Sequence, residues 1–375
     1  MRILLVTVDF IPHNDGVSTL SFNYARRLAE LGHEVEVVAP RSEGQETVDR
    51  GTPYRVRRFS GYSLGPFRFI PFAVKVARSV RERRPDVVLT MNIGYGGVLS
   101  LFHPRMRRIP FVTMAYGLEF RKFRANPLLS ALYRRIYKRS LFVVAVSRYT
   151  RNELLDMGAP AERVHVVYPG TFAPVQAPET GEPSPRLGHP VLGSCGRLIR
   201  RKGHDIVIRA LPMVVPSNPD IKYVIAGRGP EQERLHSLVR SLGLDKHVKF
   251  LGEIPSRELP AFFKSLDVFV MPSRDDRRTG HVEGFGIVYL EAAVYGVPSI
   301  GTTTGGIPEA IVEGDTGRLV PDESPEALAA VLCDLLKRPD EMRRLGLNAK
   351  RRVEDEFLWN HQVDRFNGLL LSAAG

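Results

Sequence analysis

Two glutamates, Glu283 and Glu291, stand eight residues apart on either side of Gly284-Phe285-Gly286 and the apolar run Ile287-Val288-Tyr289-Leu290. The glycines break regular structure and leave backbone N–H groups unshielded. The apolar run, continued by Glu291-Ala292-Ala293, predicts a helix that opens just after Gly286. A loop feeding a helix N-terminus offers unpaired N–H donors and partial positive charge, which suit a phosphate or a polar sugar. Glu283 falls in the loop and Glu291 about one turn into the helix, facing the same cavity. A carboxylate accepts from both hydroxyls of a vicinal pair. The spacing therefore predicts one acid for a sugar ring, one for a ribose, and a diphosphate between them.

A lone pair of acids at this spacing also describes an ordinary helix with solvated carboxylates. Its neighbours favour the site. Gly305-Gly306-Ile307-Pro308-Glu309 follows an apolar strand at 297–300 and predicts a second glycine loop, with a second helix opening at Pro308, where proline is favoured. Upstream, Gly196-Arg197-Leu198-Ile199-Arg200-Arg201-Lys202-Gly203 places two cations on a loop before a helix at 206–211. Arg197 supplies a planar fork for two phosphate oxygens and Lys202 a mobile point charge, a pairing that stabilises a departing diphosphate. Arg200 and Arg201 are read as surface. Asp275-Asp276 is adjacent rather than spaced, so no D-x-D metal signature stands at a suitable strand end and metal independence is expected. There is no G-x-G-x-x-G and no Walker-type loop, which removes support for dinucleotide and P-loop readings.

The elements that must carry these residues are strands and helices in alternation. Residues 2–8 form a run rich in β-branched residues, as expected of a buried parallel strand. The loop Pro12-His13-Asn14-Asp15-Gly16 leads into a helix with Leu20, Tyr24, Leu28 and Leu31 on one face, and the next strand covers 34–39. This is a βαβ unit whose loop lies at the carboxyl end of its first strand, where doubly wound sheets take ligands, and Gly16 would let backbone approach one closely. Further strands are predicted at 87–90, 111–114 and 142–146, with Tyr116-Gly117-Leu118-Glu119 and Ser147-Arg148 at strand ends on the ligand side. Six prolines between Pro169 and Pro190 mark a linker. The pattern then restarts at 191–196, 223–227, 248–252, 268–271 and 299–300. Four segments follow: an N-terminal domain at 1–170, a linker at 171–190, a second α/β domain at 191–353, and a C-terminal helix at 354–375 bearing Phe357, Trp359, Val363, Phe366, Leu369 and Leu370.

At 375 residues the chain exceeds one ordinary core. Cys195 and Cys333 are the two cysteines, far apart and near no histidine cluster, which fits a reducing cytoplasm rather than a disulfide framework or zinc site. The run MRILLVTVDF is too short for a signal-peptide core and no later run approaches a membrane span, so a soluble or peripheral protein is expected. The net charge of +12 is uneven: residues 1–170 carry 27 Lys+Arg against 14 Asp+Glu, and residues 171–375 carry 26 against 27. A positive field confined to the first half predicts an anionic partner there. The aromatic and basic segments at 66–84 and 128–139 could lie on an anionic bilayer, although an amphipathic helix with a solvated basic face accounts for each alone.

Taken in order, Gly196-Arg197-Leu198…Lys202-Gly203, Glu283-Gly284-Phe285-Gly286…Glu291-Ala292, Gly305-Gly306-Ile307-Pro308-Glu309 and Gly317-Arg318-Leu319-Val320 resemble the motifs of retaining GT-B glycosyltransferases of the family-four group. The run from Pro272 to Ala310 is most similar to phosphatidylinositol mannosyltransferases and related bacterial mannosyltransferases. The resemblance implies an α/β fold of two Rossmann-like, doubly wound parallel-sheet domains facing across a cleft. It gives the C-terminal domain a nucleotide sugar: the base near residues 251–254, the ribose on Glu291, the diphosphate on Arg197 and Lys202. It gives the sugar hydroxyls to Glu283 and to the amides around Phe285, Gly286, Ile287 and Val288. The N-terminal domain would take the acceptor, with Gly16 close to the donor phosphate and the terminal helix crossing back to it. One position departs from the pattern: Tyr116 stands where many members carry histidine, which leaves Tyr116 a candidate contact to sugar or acceptor.

The expected activity is transfer of a hexose, foremost mannose from GDP-mannose with UDP-hexose as the other donor, to a hydroxyl of a lipid-linked or anionic acceptor. No pair of acids is poised as in glycosidases. The expected route is same-face attack through an oxocarbenium-like transition state, without cofactor or metal, with Arg197, Lys202 and the helix end stabilising the leaving diphosphate. Peripheral contact with the inner face of an anionic membrane fits the basic first half. Two alternatives fit the sequence less well: a UDP-sugar epimerase of the same fold, and a non-catalytic nucleic-acid binder, which the lack of any aromatic-basic module signature disfavours.

Overall fold

In a computed structural model, the structure describes residues 1–13, 15–60, 69–117, 126–174, 189–276 and 281–374. Leu118 and Glu119, Pro66 to Arg68, and most of the proline-rich linker lie outside the described residues. Two compact units result, Met1–Pro169 with Trp359–Gly375, and Gly170–Leu358.

The first unit holds a parallel sheet of seven strands: β1 (Arg2–Val6), β2 (Glu34–Pro40), β3 (Arg55–Phe59), β4 (Val87–Thr90), β5 (Phe111–Ala115), β6 (Val143–Ala145) and β7 (Val164–Val166). Their order is β3-β2-β1-β4-β5-β6-β7. The order reverses between β1 and β4, which pair with Ile3 opposite Val87 and Val6 opposite Thr90. In open α/β sheets such a switch point opens a crevice at the carboxyl ends of the strands. Helices bury the apolar strands from both faces, with Phe72, Val76, Tyr133 and Ile136 in one core. The last helix, Trp359–Ala374, belongs to this unit. Phe366 meets the Tyr24 ring edge-on at 5.0 Å, Asp364 receives two 2.8 Å bonds from Arg27, and Asn367 lies 2.8 Å from His33.

The second unit repeats the plan with β8 (Val191–Cys195), β9 (Lys222–Ala226), β10 (Val248–Gly252), β11 (Val268–Val270), β12 (Ser299–Thr302) and β13 (Gly317–Val320) in the order β10-β9-β8-β11-β12-β13. Here the switch point lies between β8 and β11, paired through Val268 with Leu192 and Phe269 with Gly193. The loops that leave these two strands are those carrying Arg197 to Lys202 and Glu283 to Glu291, so the topology alone brings the cations to the acids.

The terminal helix starts later than the expected 354. A helix of the second unit runs Pro339–Glu356 and is closed by Phe357, whose N–H donates to the Val353 carbonyl. Phe357 is held beside Phe285 at 5.7 Å and under the Arg352 guanidinium at 4.9 Å, and its carbonyl accepts from the Thr171 N–H at 2.8 Å. These contacts stop one helix, and the next begins at Trp359. No helix among the described residues is long and apolar enough to cross a membrane.

Candidate functional site

After β8 the chain turns sharply at Gly196 and reaches a single 3-10 turn, Arg200–Lys202, which ends at Gly203 with φ +75°. A side chain at Gly203 would overlap the Pro272 carbonyl oxygen, so the turn lies directly on the loop that follows β11. That loop leads to Glu283, then to Gly286 at φ +96° and the helix Ile287–Ala293. Gly305 is equally constrained: its Cβ would overlap the Glu283 carbonyl oxygen, which also accepts from the Gly306 N–H at 3.0 Å. Three loops, after β8, β11 and β12, thus meet around Glu283.

Both neighbouring cations reach that carboxylate. Arg201 Nη1 lies 2.6 Å and Lys202 Nζ 2.8 Å from the same oxygen, Glu283 Oε2, and all three side chains are largely buried. Burial alone would raise the Glu283 pKa, but the charges of Arg201 and Lys202 and their hydrogen bonds overcome it and hold the acid at about 2. Glu291 behaves oppositely. It has no hydrogen bond or ion pair among the described residues, and burial lifts its pKa to about 7, with Lys202 the one charge drawing it down. Glu291 in turn adds to the burial that pushes the Cys195 thiol up to about 12. Lys202 therefore stands between the two acids, bonded to one and felt by the other.

Beneath the loop lies a buried polar chain. His204 Nδ1 is 3.2 Å from the Tyr223 hydroxyl, which is 2.7 Å from Ser194 Oγ, and Ser194 donates to the Val270 carbonyl. Burial drives the His204 pKa down to about 4, so the ring is neutral at pH 7.

Glu283, Glu291 and Lys202, expected at one site from their spacing, lie together: Lys202 is bonded to Glu283 and its charge is felt by Glu291. Arg201, read as surface, is corrected: it is 13% exposed and tied to Glu283, whereas Arg200 points outward to the exposed Glu323 at 3.5 Å. The 3-10 turn separates two adjacent arginines by direction, and residue type carries no sign of that. Arg197 is exposed and makes no side-chain ion pair among the described residues. Phe285 is buried against Phe357, which leaves only its backbone to face a ligand. Ile287 and Val288 open the short helix, where their N–H groups lie outside its internal bonding. The expected second helix at Pro308 is one turn, Ile307–Ala310.

Gly16 and Tyr116 belong to the first unit. Gly16 opens the helix Gly16–Glu30, capped by Asp15 accepting from the Ser18 N–H at 2.8 Å, and a Cβ on Gly16 would meet nothing within 4 Å. The loop before it is held by Asn92, which accepts from the Val8 N–H at 2.9 Å and donates to Asp9 at 3.0 Å. Arg58 donates to the Ile11 carbonyl at 2.9 Å. Tyr116 is buried just beyond β5. Asn92 and Arg58 were missed from sequence, since each acts through a contact remote in the chain.

Residues 14–171 match the family model "Glycosyltransferase Family 4", and residues 179–352 match "Glycosyl transferases group 1". A GDP-mannose-dependent alpha-(1-6)-phosphatidylinositol monomannoside mannosyltransferase of Mycolicibacterium smegmatis is 32% identical over 379 residues, covering 98% of this chain and 97% of its own. The chain belongs to the family-four glycosyltransferases. A second relative of this glycosyltransferase, a D-inositol 3-phosphate glycosyltransferase of Corynebacterium aurimucosum, is 29% identical over 92% of the chain and 90% of its own. Among solved structures, the glycosyltransferase is similar to Anabaena HepE in complex with UDP and glucose (TM-score 0.81, 20% identity, 99% and 100% of the two chains). It is also similar to a sucrose-phosphate synthase of Thermosynechococcus elongatus (0.82, 21%, the whole of both chains). These likenesses show the GT-B fold.

Proposed function

We propose that this glycosyltransferase moves mannose from GDP-mannose to a hydroxyl of a lipid-linked, anionic acceptor, with retention at the anomeric carbon. The observation that carries the reading is Lys202 bonded to Glu283 beside a Glu291 that has no hydrogen bond or ion pair among the described residues, in a chain 32% identical to a GDP-mannose-dependent enzyme. Glu291 accepts from the ribose hydroxyls and Glu283 from the hexose. Arg197, Arg201 and Lys202 take the diphosphate, whose charge grows as the glycosidic bond breaks; donors fixed in place before that moment stabilise the transition state more than the ground state. The leaving phosphate accepts the proton of the attacking hydroxyl. No metal is required, since the three cations supply the counter-charge.

The acceptor side rests on the basic first unit. On the helix Phe69–Arg83, Ile70 and Val74 are 62% and 64% exposed, with Lys75, Arg78 and Arg81 on the same segment, and Leu128 at the start of Pro127–Arg139 is 83% exposed. Apolar side chains flanked by cations suit the inner face of an anionic bilayer.

Incubation with GDP-mannose or UDP-glucose and a phosphatidylinositol mannoside, with and without EDTA, tests the reading by product NMR. An α-mannosylated lipid formed from GDP-mannose and unaffected by EDTA is expected. A β-linked product would sink the retaining route, turnover of UDP-glucose alone would sink the donor, and loss of turnover in EDTA would sink metal independence. Flotation with phosphatidylglycerol vesicles, absent with phosphatidylcholine, checks the membrane contact.

A further inference from the structure

Arg274, four residues beyond β11, holds the cationic turn through both its backbone and its side chain. Its own N–H donates to the Arg201 carbonyl at 2.8 Å, and its Nη1 donates to the Arg200 carbonyl at 3.2 Å. Nη2 lies 3.2 Å from Asp205 Oδ1, just past the other end of the turn, and Nε lies 3.4 Å from Glu323. The side chain is 5% exposed. With Asp205 and Glu323 both against it, the guanidinium is neutralised in place, and Glu283 is not among its partners in the described residues. Asp205 has a second cation, Arg234, at 3.5 Å.

We propose that Arg274 is a positioning residue: it fixes the backbone of Arg200–Lys202 from behind, so that Arg201 and Lys202 meet the donor diphosphate at a set distance. The turn is only three residues long, and the tips of Arg201 and Lys202 are tied to a single carboxylate oxygen that a bound sugar would compete for. Once that tie is shared with substrate, the backbone anchor keeps the two cations in register. A planar fork with several donors suits this task, because one side chain spans a carbonyl and a carboxylate at once. The proposal rests on the diphosphate reading above.

The test compares GDP with GMP by calorimetry, since the two differ by the phosphate at issue. Wild type is expected to bind GDP more tightly than GMP. Arg274→Met is expected to weaken GDP about tenfold and leave GMP within about twofold, as loss of an outer supporting contact does elsewhere. Arg274→Met combined with Asp205→Asn removes the carboxylate partner as well, and Arg274→Lys keeps the charge without the fork; GDP binding should recover only in part in the latter. An unchanged GDP to GMP ratio in the folded variants overturns the proposal alone, as does an equal loss for both ligands. Failure of all three variants to fold would assign Arg274 to stability only and overturn it too. A wild type that binds GDP no better than GMP overturns the diphosphate reading itself.

Discussion

Arg201 Nη1 lies 2.6 Å from Glu283 Oε2, on the oxygen that Lys202 also holds. Two cations thus converge on one largely buried acid, the pair that the proposed function assigns to the diphosphate. Arg201→Met should lower stability by about 1–3 kcal/mol through loss of a charge-assisted bond, and turnover by about a hundredfold or more. Urea unfolding and steady-state rates with GDP-mannose check both, and wild-type turnover would leave Arg201 a structural partner of Glu283 with no part in transfer.

Arg197 is the converse case. Exposed and without an ion pair among the described residues, it has little to contribute to the empty protein. Arg197→Ala should leave the melting temperature within about a degree, because surface changes of this kind stay within about 0.5 kcal/mol. Turnover should fall by orders of magnitude, and a variant with near-normal rates would remove Arg197 from the diphosphate.

Two glycines separate packing from function. Gly203 has φ +75° and its Cβ would strike the Pro272 carbonyl oxygen, so Gly203→Ala should destabilise by about 1–3 kcal/mol or more. Gly16 opens a helix with free space where a Cβ would go, and Gly16→Ala should be neutral or stabilising by up to about 1 kcal/mol while lowering turnover. Thermal melts paired with rates distinguish them; full activity in Gly16→Ala would reject a close approach of ligand to that backbone.

Glu291 sets a pH dependence of definite sign. Its folded pKa of about 7 lies above the ordinary 4.5, so the native state holds the extra proton between those values and stability from this group falls as pH rises through the window. Glu283, held at about 2, works the other way: its contribution is present above 4.5 and is lost as pH falls toward 2. Glu291→Gln should therefore gain more stability over wild type at pH 8 than at pH 5. Equal gains at both, measured by urea unfolding, would show that Glu291 is not buried in the way described.

The strand runs at 2–8 and 268–271 announced the sheets because buried parallel strands are rich in apolar and β-branched residues, whereas 191–196, with Gly193, Ser194 and Cys195, was legible from the turn that follows it. The glycine loops were legible for a similar reason: only glycine fits where Gly305 lies on the Glu283 backbone, and at Gly286, where φ is +96° and the Tyr289 ring fills the space a Cβ would take. What could not be read was direction and distance. Arg200 and Arg201 are the same residue type on one turn, and only the fold sends the second inward. Arg274 and Asp205 meet across 69 positions with no shared motif. The end of the helix Pro339–Glu356 was invisible because Phe357 and Trp359 continue an apolar pattern, while their partners, Phe285 for one, lie far upstream.

The strap of residues 359–374 over the Gly16–Glu30 helix gives synthesis an order. The contacts of Phe366 with Tyr24 and Phe142 can form only after residues 170–358, the second unit, have been synthesised. The half of the molecule that begins first is the half completed last.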